Sequence, residues 1–211
     1  MKPDIDGKTP EEFWEDRYEK DSGATSGKPT HTLESYASDR APGEALDLGC
    51  ARGDDTIWLA KRGWRVLGVD IAEAALNHTS VNAERNGVTD RVRLERHNLA
   101  ESFPEGIFDL VTASFLQTPF EFPWEDVIRR AAAALRPGGL LLTVTHQRVA
   151  PWAWKPPKRD LPDAGTLLAL LDLPVAEWRR IFVGPVDRIA KLPDGRSAPV
   201  TDAVISLERA R

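Results

Sequence analysis

The sequence predicts one α/β domain: a doubly wound, mostly parallel seven-stranded sheet closed by an antiparallel C-terminal hairpin. Three observations predict it. Glu44 to Ile71 reads as strand, glycine turn, helix and second strand, with Asp70 at the end of that strand. Strand-like apolar runs then alternate with helical stretches as far as Thr145, the pattern of parallel strands covered on both faces. Last, Pro193-Asp194-Gly195 joins two apolar-rich runs, and Asp-Gly in that position signals a hairpin.

The elements follow in order. Thr9-Pro10-Glu11-Glu12 starts a helix, with Thr9 as cap, Pro10 at the first helical position and acids in the first turn. Phe13 pairs with Arg17, and Trp14 with Tyr18, at four-residue spacing. Asp21 to Thr32 is rich in Ser, Gly, Thr and Pro and reads as a loop that includes His31. Thr32 to Ser38 is a short helix. Ala45 to Leu48 has the apolar character of a buried parallel strand. Gly49 and Gly53 mark a tight turn, Thr56 to Arg62 a helix stopped by Gly63, and Arg65 to Val69 the second strand.

Ala72 to Asn86 is the next helix, closed by Asn86-Gly87. Arg91 to Arg96 alternates Val92 and Leu94 against arginines; Phe108 to Ala113 is nearly continuous in apolar residues. Trp124 to Leu135 is a helix ended by Arg136-Pro137-Gly138-Gly139, and Leu140 to Thr145 is a core strand. Val149 to Asp163, with four prolines and two tryptophans, reads as a flap. Gly165 to Leu173 is helical, and Trp178 to Ala190 with Ala198 to Arg209 form the hairpin.

The bulk properties narrow the function. A chain of 211 residues holds one ordinary core. Its net charge of −5 argues against a nucleic-acid partner. One cysteine excludes an internal disulfide and points to a reducing, cytoplasmic setting. The polar amino terminus has no signal-peptide core, and no apolar run reaches membrane-span length, so no membrane partner is expected. The four histidines lack the spacing of a zinc site, and no metal is expected.

The glycines discriminate between nucleotides. A dinucleotide fold wants Gly-x-Gly-x-x-Gly with a pyrophosphate on the helix amino terminus. Here Gly49 and Gly53 are four apart, Ala51 takes the middle place, and Asp54 stands where it would repel pyrophosphate. A ligand with an ammonium or sulfonium charge is compatible with that acid. Asp70, about twenty residues beyond the turn, is placed to take a ribose diol.

Asp47-Leu48-Gly49-Cys50-Ala51-Arg52-Gly53 resembles the first motif of the class I methyltransferases that use S-adenosylmethionine: an acid followed by three glycines at alternate positions. Only Ala51 departs from it. The resemblance covers roughly Ala45 to Arg209 and implies a Rossmann-like sheet and S-adenosylmethionine as cofactor; the lack of a strongly basic charge balance favours a small-molecule acceptor over RNA or DNA. A looser likeness links the short chain and aromatic first helix to the thiopurine- and tellurite-type enzymes. On this view residues 1–40 form an N-terminal helix and lid segment, and residues 41–211 the methyltransferase domain. Asp47 and the turn of Gly49, Cys50, Ala51 and Gly53 would hold the methionine end, and Asp70 with Ile71 the ribose. Asn98 would accept from the adenine amino group in place of the family's acid, with Leu99 packing beside it.

Ser114 and Phe115 would wall the site at the carboxyl end of the fourth strand, with Leu116 next to them. Trp14, Tyr18 and Trp152 would meet substrate, or simply pack. Asp109 and the Arg-Pro-Gly-Gly turn resemble scaffold features of the family. Cys50 invites a nucleophile reading, but attack on a sulfonium methyl needs no enzyme nucleophile. His146, ending the fifth strand, is the candidate base, since an unperturbed imidazole titrates near neutrality; a purely structural strand-end histidine is the alternative. Arg148, Lys155, Lys158 and Arg159 read as a solvated basic loop. Two rival functions remain: a non-catalytic module that binds S-adenosylmethionine, and a nicotinamide-dependent oxidoreductase. The four-residue glycine spacing, Asp54 and the terminal hairpin count against the second. The oligomeric state is not legible.

Overall fold

The computed structural model describes residues 5, 7–151, 161–192 and 194–211. Its first helix, α1 (Pro10–Glu19), carries a full capping box: the Glu12 N–H donates to the Thr9 hydroxyl and the Thr9 N–H to the Glu12 carboxylate. Two orphan amides at the helix start are thereby satisfied. The short helix α2 (His31–Ala37) begins one residue earlier than expected, so His31 is helical. Next come β1 (Glu44–Leu48), α3 (Asp54–Lys61), β2 (Arg65–Asp70), α4 (Glu73–Arg85) and β3 (Val92–Arg96), the last preceded by a single 3-10 turn. The chain continues through β4 (Phe108–Ser114), α5 (Trp124–Ala133), β5 (Leu135–Arg148), α6 (Ala164–Leu171), β6 (Trp178–Lys191) and β7 (Ser197–Arg209). No helix among the described residues is long and apolar enough to cross a membrane.

The seven strands form one sheet in the order β3-β2-β1-β4-β5-β7-β6. β7 lies between β5 and β6 and is antiparallel to both, while the β1–β5 neighbours run parallel. The Rossmann-like sheet and its antiparallel end are therefore as the sequence predicts. One core packs α5 and α6 against Leu46, Leu48, Val111 and Leu141; the other packs α2, α3 and α4 against Ala45, Val66, Leu110 and Leu142. The chain runs outward from β1 to β3, then crosses back to β4 on β1's other side. That reversal opens a crevice at the carboxyl ends of β1 and β4, the place where open α/β sheets bind ligands.

The start of β5 differs most from the prediction. Arg136 to Gly139, expected as a turn before β5, falls within its span. Phe108 pairs with Leu135 but Leu110 with Leu140, so these four residues bulge out of register. Asp109 steadies the bulge, accepting from the Arg136 guanidinium at 2.7 Å and the Glu44 N–H at 2.9 Å. Both contacts are at the amino ends of β1 and β4, away from the crevice. Trp152, Trp154, Lys155, Lys158, Arg159 and Pro193 lie outside the described residues.

Candidate cofactor crevice

The glycine turn reverses the chain over the end of β2. Gly49 and Cys50 both donate their N–H to the Val69 carbonyl, at 2.8 and 2.9 Å. Gly49, Ala51 and Gly53 all have positive φ, of 74°, 52° and 85°. Glycine tolerates that region freely, whereas Ala51 holds it with a methyl group present. The Ala51 N–H donates to Asp70 Oδ2 at 3.0 Å, and the Ala72 N–H to Asp70 Oδ1 at 3.1 Å. Asp70 is thus pinned between the turn and α4, with its carboxylate on the crevice wall. Burial raises its pKa, and the backbone donors oppose that rise.

Two further carboxylates lie behind the turn. Asp47 is buried and accepts from the Thr56 hydroxyl at 2.6 Å. Burial, followed by the charge of Asp55, pushes its pKa up to about 8. Asp55 accepts from the Thr30 N–H at 2.6 Å, the Thr30 hydroxyl at 2.9 Å and the Ser114 hydroxyl at 2.8 Å. Its neighbour Asp54 accepts from the Thr25 hydroxyl, from Ser26 at 2.9 Å and from the Gly27 N–H at 3.0 Å. Together these acids fasten the loop before α2 onto the amino end of α3. A pyrophosphate is excluded there by the loop as well as by charge.

The crevice has a volume of about 400 Å³, within the range usual for small-molecule sites. Gly49, Asp70, Ile71, Asn98 and Leu99 form its floor, Trp14 and Tyr18 close it from α1, and Phe115 and Leu116 begin its far wall. Those predicted residues are brought together. Asp47, Cys50, Ala51, Gly53 and Ser114 are not on the lining; they set the turn's shape from behind or, like Ser114, hold Asp55. Trp14 and Tyr18 share one cavity with Asp70 and Asn98. Trp152 lies outside the described residues.

His146 is also absent from the lining. Its ring stacks on Phe115 with centroids 4.4 Å apart, and Nδ1 is 3.4 Å from Asp202 Oδ1. Asp202 is fully buried and gripped by Arg188 at 2.5 and 3.2 Å. Burial acts to raise the Asp202 pKa, but hydrogen bonds from His146 and Arg188 outweigh it and hold the group low. Phe115, at a φ of 57°, faces the crevice while His146 packs against it.

Two acids on α1 escaped the sequence reading. Glu15 accepts from the Glu73 and Ala74 N–H groups, at 2.7 and 3.0 Å. It caps α4, whose own cap residue, Ala72, offers no side-chain bond. Glu11 accepts from Asn98 Nδ2 at 2.6 Å. On the opposite wall the Trp14 indole donates to the Thr118 hydroxyl at 3.4 Å, and Phe13 meets Phe120 edge-on. Glu11, in the first turn, reads as a partner of the helix dipole, and for neither acid does the local pattern mark a partner so distant in sequence.

Among the described residues the lining includes Glu11, Asp70, Glu101 and Glu121 but neither lysine nor arginine. The Tyr18 phenol is held neutral, its pKa raised by burial and by Asp70. Burial, with the charges of Asp70 and Asp47, likewise keeps Cys50 a thiol, which leaves it no nucleophilic role. The crevice suits a cationic ligand with an apolar body and a diol.

Comparison with known proteins agrees with that chemistry. Residues 45–139 match the family model for a methyltransferase domain. The chain is 34% identical over 133 residues to 27-O-demethylrifamycin SV methyltransferase of Amycolatopsis mediterranei, covering 61% of this chain and 47% of that protein. It is 31% identical over 120 residues to ribosomal RNA small subunit methyltransferase C of Alcanivorax borkumensis, covering 54% and 35%. The chain thus spans about half the length, or less, of these two relatives. The N-methyltransferase NodS of Bradyrhizobium japonicum, solved with S-adenosyl-l-homocysteine, superposes with a TM-score of 0.63 at 17% identity, covering 98% of this chain and 91% of that one. Residues 45–139 thus resemble a methyltransferase domain, and the sheet that contains them has the fold of the NodS N-methyltransferase.

Proposed function

We propose that the protein transfers a methyl group from S-adenosylmethionine to a small-molecule acceptor. The observation that carries this reading is the crevice: a pinned Asp70 carboxylate beside a left-handed glycine turn, in a lining that, among the described residues, has four carboxylates and no lysine or arginine. When bound, S-adenosylmethionine supplies a methyl activated by a sulfonium. Asp70 takes the ribose hydroxyls. The Gly49–Gly53 turn, with Asp47 behind it, holds the methionine end. Residues 1–40 act as the lid segment on the domain of residues 41–211, and α1 excludes water while the acceptor is aligned for in-line attack. An acceptor with a free lone pair needs no base. His146, packed behind Phe115, orients that ring; it is assigned no proton transfer.

A small acceptor is favoured over a macromolecule by the net charge of −5 and the acidic crevice. The relatives alone do not decide, since one is named for a rifamycin and another for ribosomal RNA. The test supplies methyl-tritiated S-adenosylmethionine and the protein to a bacterial lysate separated into small-molecule, protein and RNA fractions. Label is expected in the small-molecule fraction, and Asp70→Ala should lower it at least tenfold. Label confined to RNA or protein would overturn the acceptor assignment.

A further inference from the structure

We infer that Glu11, carried by α1, is the carboxylate that recognises the adenine of the cofactor, and that Asn98 serves to aim it. The inference rests on the cofactor reading above and extends it to a residue outside the motif-bearing strands. Asn98 stands at the end of β3 on the crevice wall. Its Oδ1 accepts from the Ala100 N–H at 3.2 Å, and its Nδ2 donates to Glu11 Oε1 at 2.6 Å. Those two partners fix the amide's orientation: the carbonyl faces a backbone donor, and the NH₂ faces a carboxylate. One lone pair of the carbonyl is thereby engaged by the backbone. Glu11 lines the crevice as well, and among the described residues its second oxygen, Oε2, makes no hydrogen bond.

The arrangement has a directional consequence. A carboxylate held by one oxygen presents the other as a pure acceptor, matched to an exocyclic amino group and mismatched to a carbonyl. With Asp70 on the ribose, the base extends toward Asn98, Leu99 and Glu11. Base recognition is then divided between the sheet and α1, so that the acceptor is complete only when α1 is seated. The other α1 contacts hold the helix in that position: Glu15 on the start of α4, and the Trp14 indole on Thr118.

The experiment measures calorimetric affinity for S-adenosylhomocysteine and for its 6-oxo counterpart, S-inosylhomocysteine. It uses the full chain as wild type, Glu11→Gln, Asn98→Asp and the double variant. Wild type should prefer the amino ligand. Glu11→Gln keeps an oxygen for Asn98 but turns an NH₂ toward the base, so the preference should fall at least tenfold, in keeping with the loss of one charge-assisted bond. Asn98→Asp sets two carboxylates against each other and should weaken both ligands. The double variant reverses the pair: the amide introduced on α1 donates to the carboxylate introduced at the end of β3, and its carbonyl faces the base. The amino preference should then return.

An unchanged preference in Glu11→Gln would overturn the inference. So would an equal loss for both ligands, which is the signature of a latch alone. Tighter binding by Asn98→Asp would overturn it too, by showing that an acid at position 98 is the better acceptor. Wild type that binds neither ligand would overturn the cofactor reading and this inference with it.

Discussion

Ala51 and Asp47 show how far single residues can be read. The sequence marks Ala51 as a departure from the motif and suggests crowding near the ligand. The structure locates the consequence in the backbone, where Ala51 takes a φ of 52°. A left-handed conformation costs a residue with a Cβ roughly 1–2 kcal/mol, offset in part by the greater unfolded-state freedom of glycine. Ala51→Gly should stabilise the protein by about 0.5–1 kcal/mol in urea denaturation; a loss of stability would contradict that account. Asp47 is legible as an acid of the motif, but its burial is not. Unfolded, it ionises near 3.8; folded, it keeps its proton up to about 8. The native state binds more protons through that window, so the site's contribution is present at low pH and lost as pH rises from about 4 to about 8. Asp47→Asn preserves an acceptor for Thr56 and removes the titration. Its urea midpoint should fall less than that of wild type between about pH 5 and pH 8, and equal falls would contradict the assignment.

At the scale of elements, α1 is the instructive case. Its start is written in the sequence, because Thr9, Pro10 and Glu12 specify a capping box locally. Its docking is not, because Glu11, Trp14 and Glu15 find partners at Asn98, Thr118 and the start of α4, all far along the chain. Glu15→Ala should cost about 1 kcal/mol, the usual value of a lost helix cap, and should speed amide hydrogen exchange in α1 more than in α5. Uniform exchange in both helices would argue against the latch. β5 shows the reverse error: Pro137-Gly138-Gly139 has the composition of a turn, yet the residues are taken up as a bulge between two paired stretches of strand. Composition reports local preference, and here pairing to β4 overrides it. His146 lies two residues before the end of β5 rather than at it, and the stacking of its ring on Phe115, just after β4, and its pairing with Asp202 of β7 join residues that no local pattern connects.

Across the whole molecule, the fold was legible because its signals are periodic and repeated. Five apolar strands with intervening helices, followed by a hairpin, leave few topologies, and the observed order β3-β2-β1-β4-β5-β7-β6 is one of them. The insertion of β7 between β5 and β6 could not be read, since it depends on long-range pairing. The same division holds for function. Asp70, Ile71, Asn98 and Leu99 line one crevice because strand ends converge at the sheet's switch point, whereas α1 is a segment that joins the crevice only in three dimensions.

The central claim is that this crevice holds a sulfonium-bearing nucleoside through Asp70. Calorimetric titration of wild type and Asp70→Ala with S-adenosylmethionine, S-adenosylhomocysteine and NAD tests it most directly. The account predicts micromolar binding of the first two ligands by wild type, at least tenfold weaker binding by Asp70→Ala, and no binding of NAD. Folded wild-type protein that binds neither adenosyl ligand, or that binds NAD instead, would contradict it.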